Sequence, residues 1–201
     1  MKNKIPPGGY IGPAPVVLVG ANVKGKANFT AIGWSGAVEH FPPLVYISSN
    51  QIHHNNVGIK ENQTFSINIP SEEMVELTDY CGIASGRKVD KGSFFDVFYG
   101  ELETAPMIQE APINMECKVI HIVDTTEIST AKHGHDIFIG EVIQAYCEDK
   151  YLTNGTPDFT KMKLMSLAST EKNKLFYWGL GQQVGRAFNI GLKYRKSRKS
   201  S

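Results

Sequence analysis

"KANFTAIGWSGAVEHFPPLVYISSN", residues 26–50, decides the fold. Apolar and polar residues alternate through it at the period of a strand until Pro42 and Pro43 break the run. "LVYISSN" (44–50) then resumes the alternation with β-branched and aromatic residues. Yet Asn28, Thr30, Ala31, Gly33, Ser35, Gly36 and Ala37 place small and amide side chains where strands usually carry bulk. A strand thinned in this way leaves its main chain open to a close neighbour.

The pattern extends in both directions. "PAPVVLVGA" (13–21) is a short apolar β run, and "GKAN" (25–28) reads as a turn. After the second strand, "IHHNNVGIKEN" (52–62) has apolar residues spaced for one or two helical turns, and "QTFSINIP" (63–70) is a strand stopped by Pro70. Ser71 is expected to cap a helix, "SEEMVELTDYCGIA", whose acids sit in the first turn and whose Met74, Leu77, Cys81 and Ala84 share a face. The polar, glycine-containing "SGRKVDKGSFF" follows. Residues 113–128 and 137–149 are β runs on either side of a glycine turn, which predicts a hairpin. "KLFYWGLGQQVGRAF" closes the pattern as a strand or loop. Mostly β, with two or three inserted helices, points to a barrel.

With 201 residues, 41% hydrophobic and 20% charged, the chain has the material for one domain and its core. A formal net charge of +1 predicts no partnership with nucleic acid or a membrane surface. The charge is unevenly placed: "KYRKSRKSS" (193–201) holds five Lys or Arg and no acid. It reads as a basic disordered tail after a single domain spanning residues 1–192. No stretch approaches the roughly 18 consecutive apolar residues of a membrane span, and the N-terminal residues lack the apolar centre of a signal peptide. Cys81, Cys117 and Cys147 are odd in number and far apart, which argues against a disulfide framework and a thiolate metal site. A cytoplasmic protein without a metal is the expectation.

Five features offer chemistry. "GWSGA" (33–37) approximates a nucleophile elbow, but the strand pattern runs on through it. "GLGQQVG" (179–185) has the wrong spacing for a dinucleotide fingerprint and no βαβ unit after it. His133 and His135 in "KHGHD" read as a hairpin tip, and Cys81 as a buried thiol on an apolar helix face. "SSNQIHHNN" (48–56) differs: a strand end with two hydroxyls and an amide runs directly into a helix start with two histidines and two more amides. Such donors suit an anion, yet the residues read equally as a polar loop with a good cap.

Taken together, "NFTAIGW" with "PPLVYIS", "KENQTFSINIP", "DYCGIASGRKVDK" and "YWGLGQQVGRAFNIG" resemble the flavin reductase-like, FMN-binding split-barrel family, specifically its flavoredoxin branch. The resemblance covers about residues 13–192. It implies a mainly β (α+β) fold, a six-stranded antiparallel split β-barrel with inserted helices, working as a homodimer around non-covalent FMN. Carried over residue by residue, the cofactor-binding set is Asn28, Thr30 and Ala31 along the flavin, Ser48, Ser49, Asn50, His53 and Asn55 at the phosphate, and Lys91 close by. His53 and Asn55 stand where many relatives put Arg and then Ser or Thr.

The implied activity is an oxidoreductase's: electron or hydride transfer through FMN, with NADH or NADPH as donor or a redox protein as partner. A flavin-binding module that stores or senses FMN without turnover is the alternative. FMN is expected over FAD because a phosphate-sized polar pocket is visible and no adenosine-binding pattern is. "LFYWGLG" (175–181) is the candidate dimer contact. An isoalloxazine is wide and flat, so the small side chains of the opening strand would let it approach main-chain amides.

Overall fold

The computed structural model describes residues 1–171, 174–192 and 194, so the basic tail, Tyr194 apart, lies outside the described residues. After an arm without regular structure, β1 (Ala14–Pro15) and β2 (Val17–Val23) lead into β3 (Lys26–Ile32). Next come β4 (Ser35–Glu39), β5 (Leu44–Asn50), α1 (Asn55–Asn62), β6 (Thr64–Ile69) and α2 (Val75–Ile83). The short β7 (Val97–Phe98) and β8 (Met107–Ile108) pair with each other. Two long strands follow, β9 (Ile113–Asp124) and β10 (His135–Cys147), with one helical turn, α3 (Thr125–Ile128), between them. A small pair, β11 (Leu152–Thr153) and β12 (Thr156–Pro157), precedes β13 (Met165–Glu171) and β14 (Lys174–Gly179).

Seven strands form one antiparallel sheet in the order β3-β2-β6-β9-β10-β5-β4, and β1, β13 and β14 form a separate three-stranded sheet. β3 and β4 stand at opposite ends of that order, although only Gly33 and Trp34 separate them in the chain. One strand therefore bends at these two residues, and its halves pair with β2 on one side and β5 on the other. The bend closes the sheet into a barrel, and the Ser48 amide donates to the Trp34 carbonyl across the seam (2.8 Å). Counted once, the bent strand makes six staves, as expected; the barrel form removes the open edges a flat sheet would expose.

Two local readings shift. The first turn lies at Lys24 and Gly25, not at 25–28: both have positive φ (54° and 80°), and Val23 pairs with Lys26. Such a two-residue turn has a twist that matches the strands it joins, which leaves Ala27 and Asn28 inside β3. The helix after β6 begins with a 3-10 turn, Glu72–Met74, because Ser71 is held in extended form by a bridge to Leu164 and its side chain caps nothing. Its buried face is Met74, Thr78 and Cys81, whereas Leu77 is 38% exposed.

The sheet is covered on both faces, which is why β2 reads as a continuous apolar run. Val17, Val19 and Ala21 pack inside the barrel with Ile47, Phe65 and Phe138, while Leu18 packs with Phe29, Met74, Cys81 and Phe95 beneath α2. α1 lies against β2 so closely that a Cβ on Gly58 would overlap the Asn22 carbonyl. The approach brings the start of α1, the end of β5 and the end of α2 to one side of β3.

Candidate functional site

Lys91 opens the 3-10 turn Lys91–Phe94 and is 2% exposed. Its Nζ donates to the Cys81 carbonyl (2.9 Å), the Ala84 carbonyl (3.1 Å) and Thr30 Oγ1 (3.4 Å). These carbonyls belong to the last turn of α2, where orphan acceptors and the helix dipole favour a cation. Among the described residues no carboxylate pairs with it. Burial therefore pushes the ammonium pKa down. A buried cation satisfied only by neutral oxygens is suited to an anion brought by a ligand.

His53, Thr30 and Lys91 line one cavity of about 240 Å³, together with Cys81, Ser85 and Arg87. Asn28 lines a neighbouring cavity of about 300 Å³. The other five expected residues are placed differently. Ser49 is buried and donates to Asn56 Oδ1 (2.6 Å), while its Oγ lies 3.0 Å from His53 Nδ1. Asn56 in turn donates to Asp136 Oδ2 (3.0 Å), which pairs with Lys60 (2.7 Å). This network fixes the end of β5 and orients the His53 ring. Asn55 is also buried: it accepts from Asn28 Nδ2 and donates to the carbonyls of Val19 (2.7 Å) and Asn28 (3.3 Å), tying α1 to the β2–β3 pair.

Asn50 Oδ1 accepts from the Ile52 amide (3.1 Å), and its carbonyl accepts from the His53 amide (2.9 Å), so that amide is already occupied. Ser48 is half-buried at the barrel seam, and Ala31 packs near Gly82 of α2.

Arg87 and His54 were not singled out from the sequence. Arg87 is exposed and donates from Nη1 to the Ile52 carbonyl (2.9 Å), linking the loop after α2 to the loop before α1. Gly86 makes this possible, since a Cβ there would overlap the Asn28 side chain. Among the described residues His54 Nδ1 is buried without a partner. Burial lowers the pKa of both histidines, first for His53 ahead of Lys91 and His135, and first for His54 ahead of Arg87, Lys24 and Lys91. Both rings are therefore neutral at pH 7 in a positive field.

The site lacks nucleophilic machinery. Burial raises the Cys81 thiol to about 11, so it stays protonated and inert. Ser35 lies in β4, paired with β5, and no helix follows it to form an elbow. His135 packs against Trp34, ring centroids 4.9 Å apart. Among the described residues no group of three His, Cys, Asp or Glu is placed to hold a metal ion, and no helix is long and apolar enough to cross a membrane.

The chain is similar to known proteins over most of its length. The family described as "Flavin reductase like domain" matches residues 11–162. Flavoredoxin from Methanosarcina acetivorans is similar in structure (TM-score 0.88) and 43% identical, over 96% of this chain and 99% of that one. Flavoredoxin of Desulfovibrio vulgaris (Miyazaki F) is similar with a TM-score of 0.81 and 29% identity, over 95% and 100% of the two chains. An uncharacterized protein of Archaeoglobus fulgidus is 26% identical over 166 residues, 82% of this chain and 88% of that one.

Proposed function

The chain belongs to the flavin reductase-like family, and from that premise we propose that residues 1–192 form one FMN-binding domain that transfers electrons or hydride through the bound flavin. The observation that carries the proposal is Lys91, a cation 2% exposed and held, among the described residues, by carbonyls and a hydroxyl at the wall of a cavity. In this reading Lys91 and Arg87 take the FMN phosphate, with His53 and Thr30 as neutral hydrogen-bonding partners. Asn28, Ala31 and the bend at Gly33 present the thinned edge of β3 to the ring, and Ser48 and Asn50 shape the strand end beside it. Ser49 and Asn55 act one layer behind, holding His53 and Asn28 in place through the bonds described above. FMN supplies the redox chemistry; the chain orients it and sets its electrostatic surroundings.

Purified protein is expected to carry FMN that is released by heat and identified by chromatography, and to bleach anaerobically with NADH or NADPH. Predominant FAD, or no flavin at all, would overturn the cofactor assignment. A bound flavin that chemical reductants bleach but no pyridine nucleotide does would leave electron transfer from a redox protein, or simple flavin storage, as the activity.

We also propose a homodimer. Leu175, Phe176, Trp178 and Leu180 are 43–65% exposed on and beyond β14, with Phe176 and Trp178 on one face of the strand for a second chain to cover. Light scattering should return twice the 22.2 kDa chain mass. A monomer mass at micromolar concentration would remove the dimer.

A further inference from the structure

We propose that the cavity under the β2–β3 turn is a second anion site, one that receives the phosphate monoester on the adenosine ribose of NADPH and so selects NADPH over NADH; this rests on the flavin reading above. The cavity, about 300 Å³, is walled by Val23, Lys26, His54, Arg87, Lys88 and Val89, among others. It shares His54, Gly86 and Arg87 with the first cavity. Arg87, whose Nη1 donates to the Ile52 carbonyl, lines both cavities. Asn28, which the flavin reading gives to the ring, also lines this cavity, so a flavin held by Lys91 leaves its Lys26 and Lys88 side for a second ligand.

The charge on that other side is one-sided. Lys24, Lys26, Arg87 and Lys88 are exposed around the turn and the loop after α2, and none makes an ion pair among the described residues. Asp90 is the one acid in the lining. Exposed lysines acting singly are screened by salt, but several cations around a concave recess focus their field into it. His54, whose pKa is held down first by burial and then by Arg87, Lys24 and Lys91, lines the same cavity. Val23 and Val89 supply apolar surface for a base. In this proposal a dinucleotide whose nicotinamide lies on the flavin brings its adenosine end past Arg87 into the cavity of about 300 Å³.

The test is titration calorimetry of the FMN-loaded chain with NADP+ and NAD+, which differ only by that phosphate. NADP+ is expected to bind about tenfold tighter, the worth of roughly one charge-assisted contact. The Lys26→Ala/Lys88→Ala double variant, altered only at exposed positions, should lose the preference and keep its FMN affinity. Equal binding of the two nucleotides, or binding of neither, would overturn the second site and leave the flavin reading intact. A double variant that loses FMN but not riboflavin would also overturn it, by assigning this cavity to the FMN phosphate. A wild-type chain that binds no FMN would remove the flavin reading itself, and the donor site with it.

Discussion

Lys91→Met is expected to weaken FMN binding by about ten- to a hundredfold while leaving riboflavin binding unchanged. The substitution keeps the length and apolar body of the side chain and removes its charge. A hydrogen bond to a charged group contributes about 1.5–3 kcal/mol, and about 1.4 kcal/mol corresponds to a factor of ten. Because riboflavin lacks the phosphate, the comparison isolates the anion from the ring. The flavin-free variant should fold at least as well as wild type, since burying an ammonium without a counter-charge costs stability that methionine does not incur.

The same residue predicts a pH dependence. Burial holds the Lys91 pKa below its usual 10.5, so wild-type affinity for FMN should fall as pH rises through that lowered value. Between the lowered pKa and 10.5 the unfolded chain binds more protons than the folded one, so the stability of the flavin-free protein should rise with pH across that window. Both trends should vanish in Lys91→Met. If the variant lost riboflavin as much as FMN, Lys91 would act on the ring; if it lost neither, the site would lie elsewhere.

Much of the fold was legible because it depends on side-chain periodicity. β5 and β6 follow from alternation bounded by proline and polar turns, and the thin run from Asn28 to Ala37 read as a strand by the same period. Its bend at Gly33 and Trp34 was not legible, because a strand that switches partners keeps its period of two. Ser71 shows a related limit: its residue type suits a cap, but pairing with Leu164 draws its backbone into an extended bridge. At the site, residue types were readable and directions were not. Ser49 and Asn55 have the chemistry of phosphate ligands, yet in a compact loop the same amides and hydroxyls can satisfy buried carbonyls, and here they do. Arg87 lay within the quoted "DYCGIASGRKVDK", where its charge was a signal. Its relevance depends on the Ile52 carbonyl, 35 residues away in the chain, which no local pattern encodes.

The second large effect concerns the helix that holds this arrangement. Gly58→Ala is expected to destabilise the protein by about 2 kcal/mol, although alanine is the better helix former by about 1 kcal/mol. The opposing contribution is steric. The new methyl would overlap the Asn22 carbonyl and lie 2.9 Å from Val23 Cγ2, and main chain within a paired strand cannot move aside as a side-chain tip can. Overpacking of this kind costs about 1–3 kcal/mol, or more where backbone must shift. The Asn22 carbonyl also accepts from Asn62 Nδ2 (2.8 Å), so displacing it disturbs the last turn of α1 as well.

Gly82→Ala in α2 is the matched control: its methyl would meet only Ala31 Cβ, at an ordinary 3.5 Å, so the helix preference should dominate and stability should hold or rise slightly. Thermal or urea unfolding of the flavin-free proteins measures both. A functional consequence separates tight packing from a local defect. If α1 shifts away from β2, the Asn28–Asn55 and Ser49–Asn56 contacts loosen together, and FMN affinity should fall in Gly58→Ala even where the protein remains folded. Unchanged stability in Gly58→Ala would mean that α1 does not sit as closely on β2 as described. A destabilised variant with unchanged FMN affinity would show that the amide network behind His53 and Asn28 plays no part in holding the cofactor.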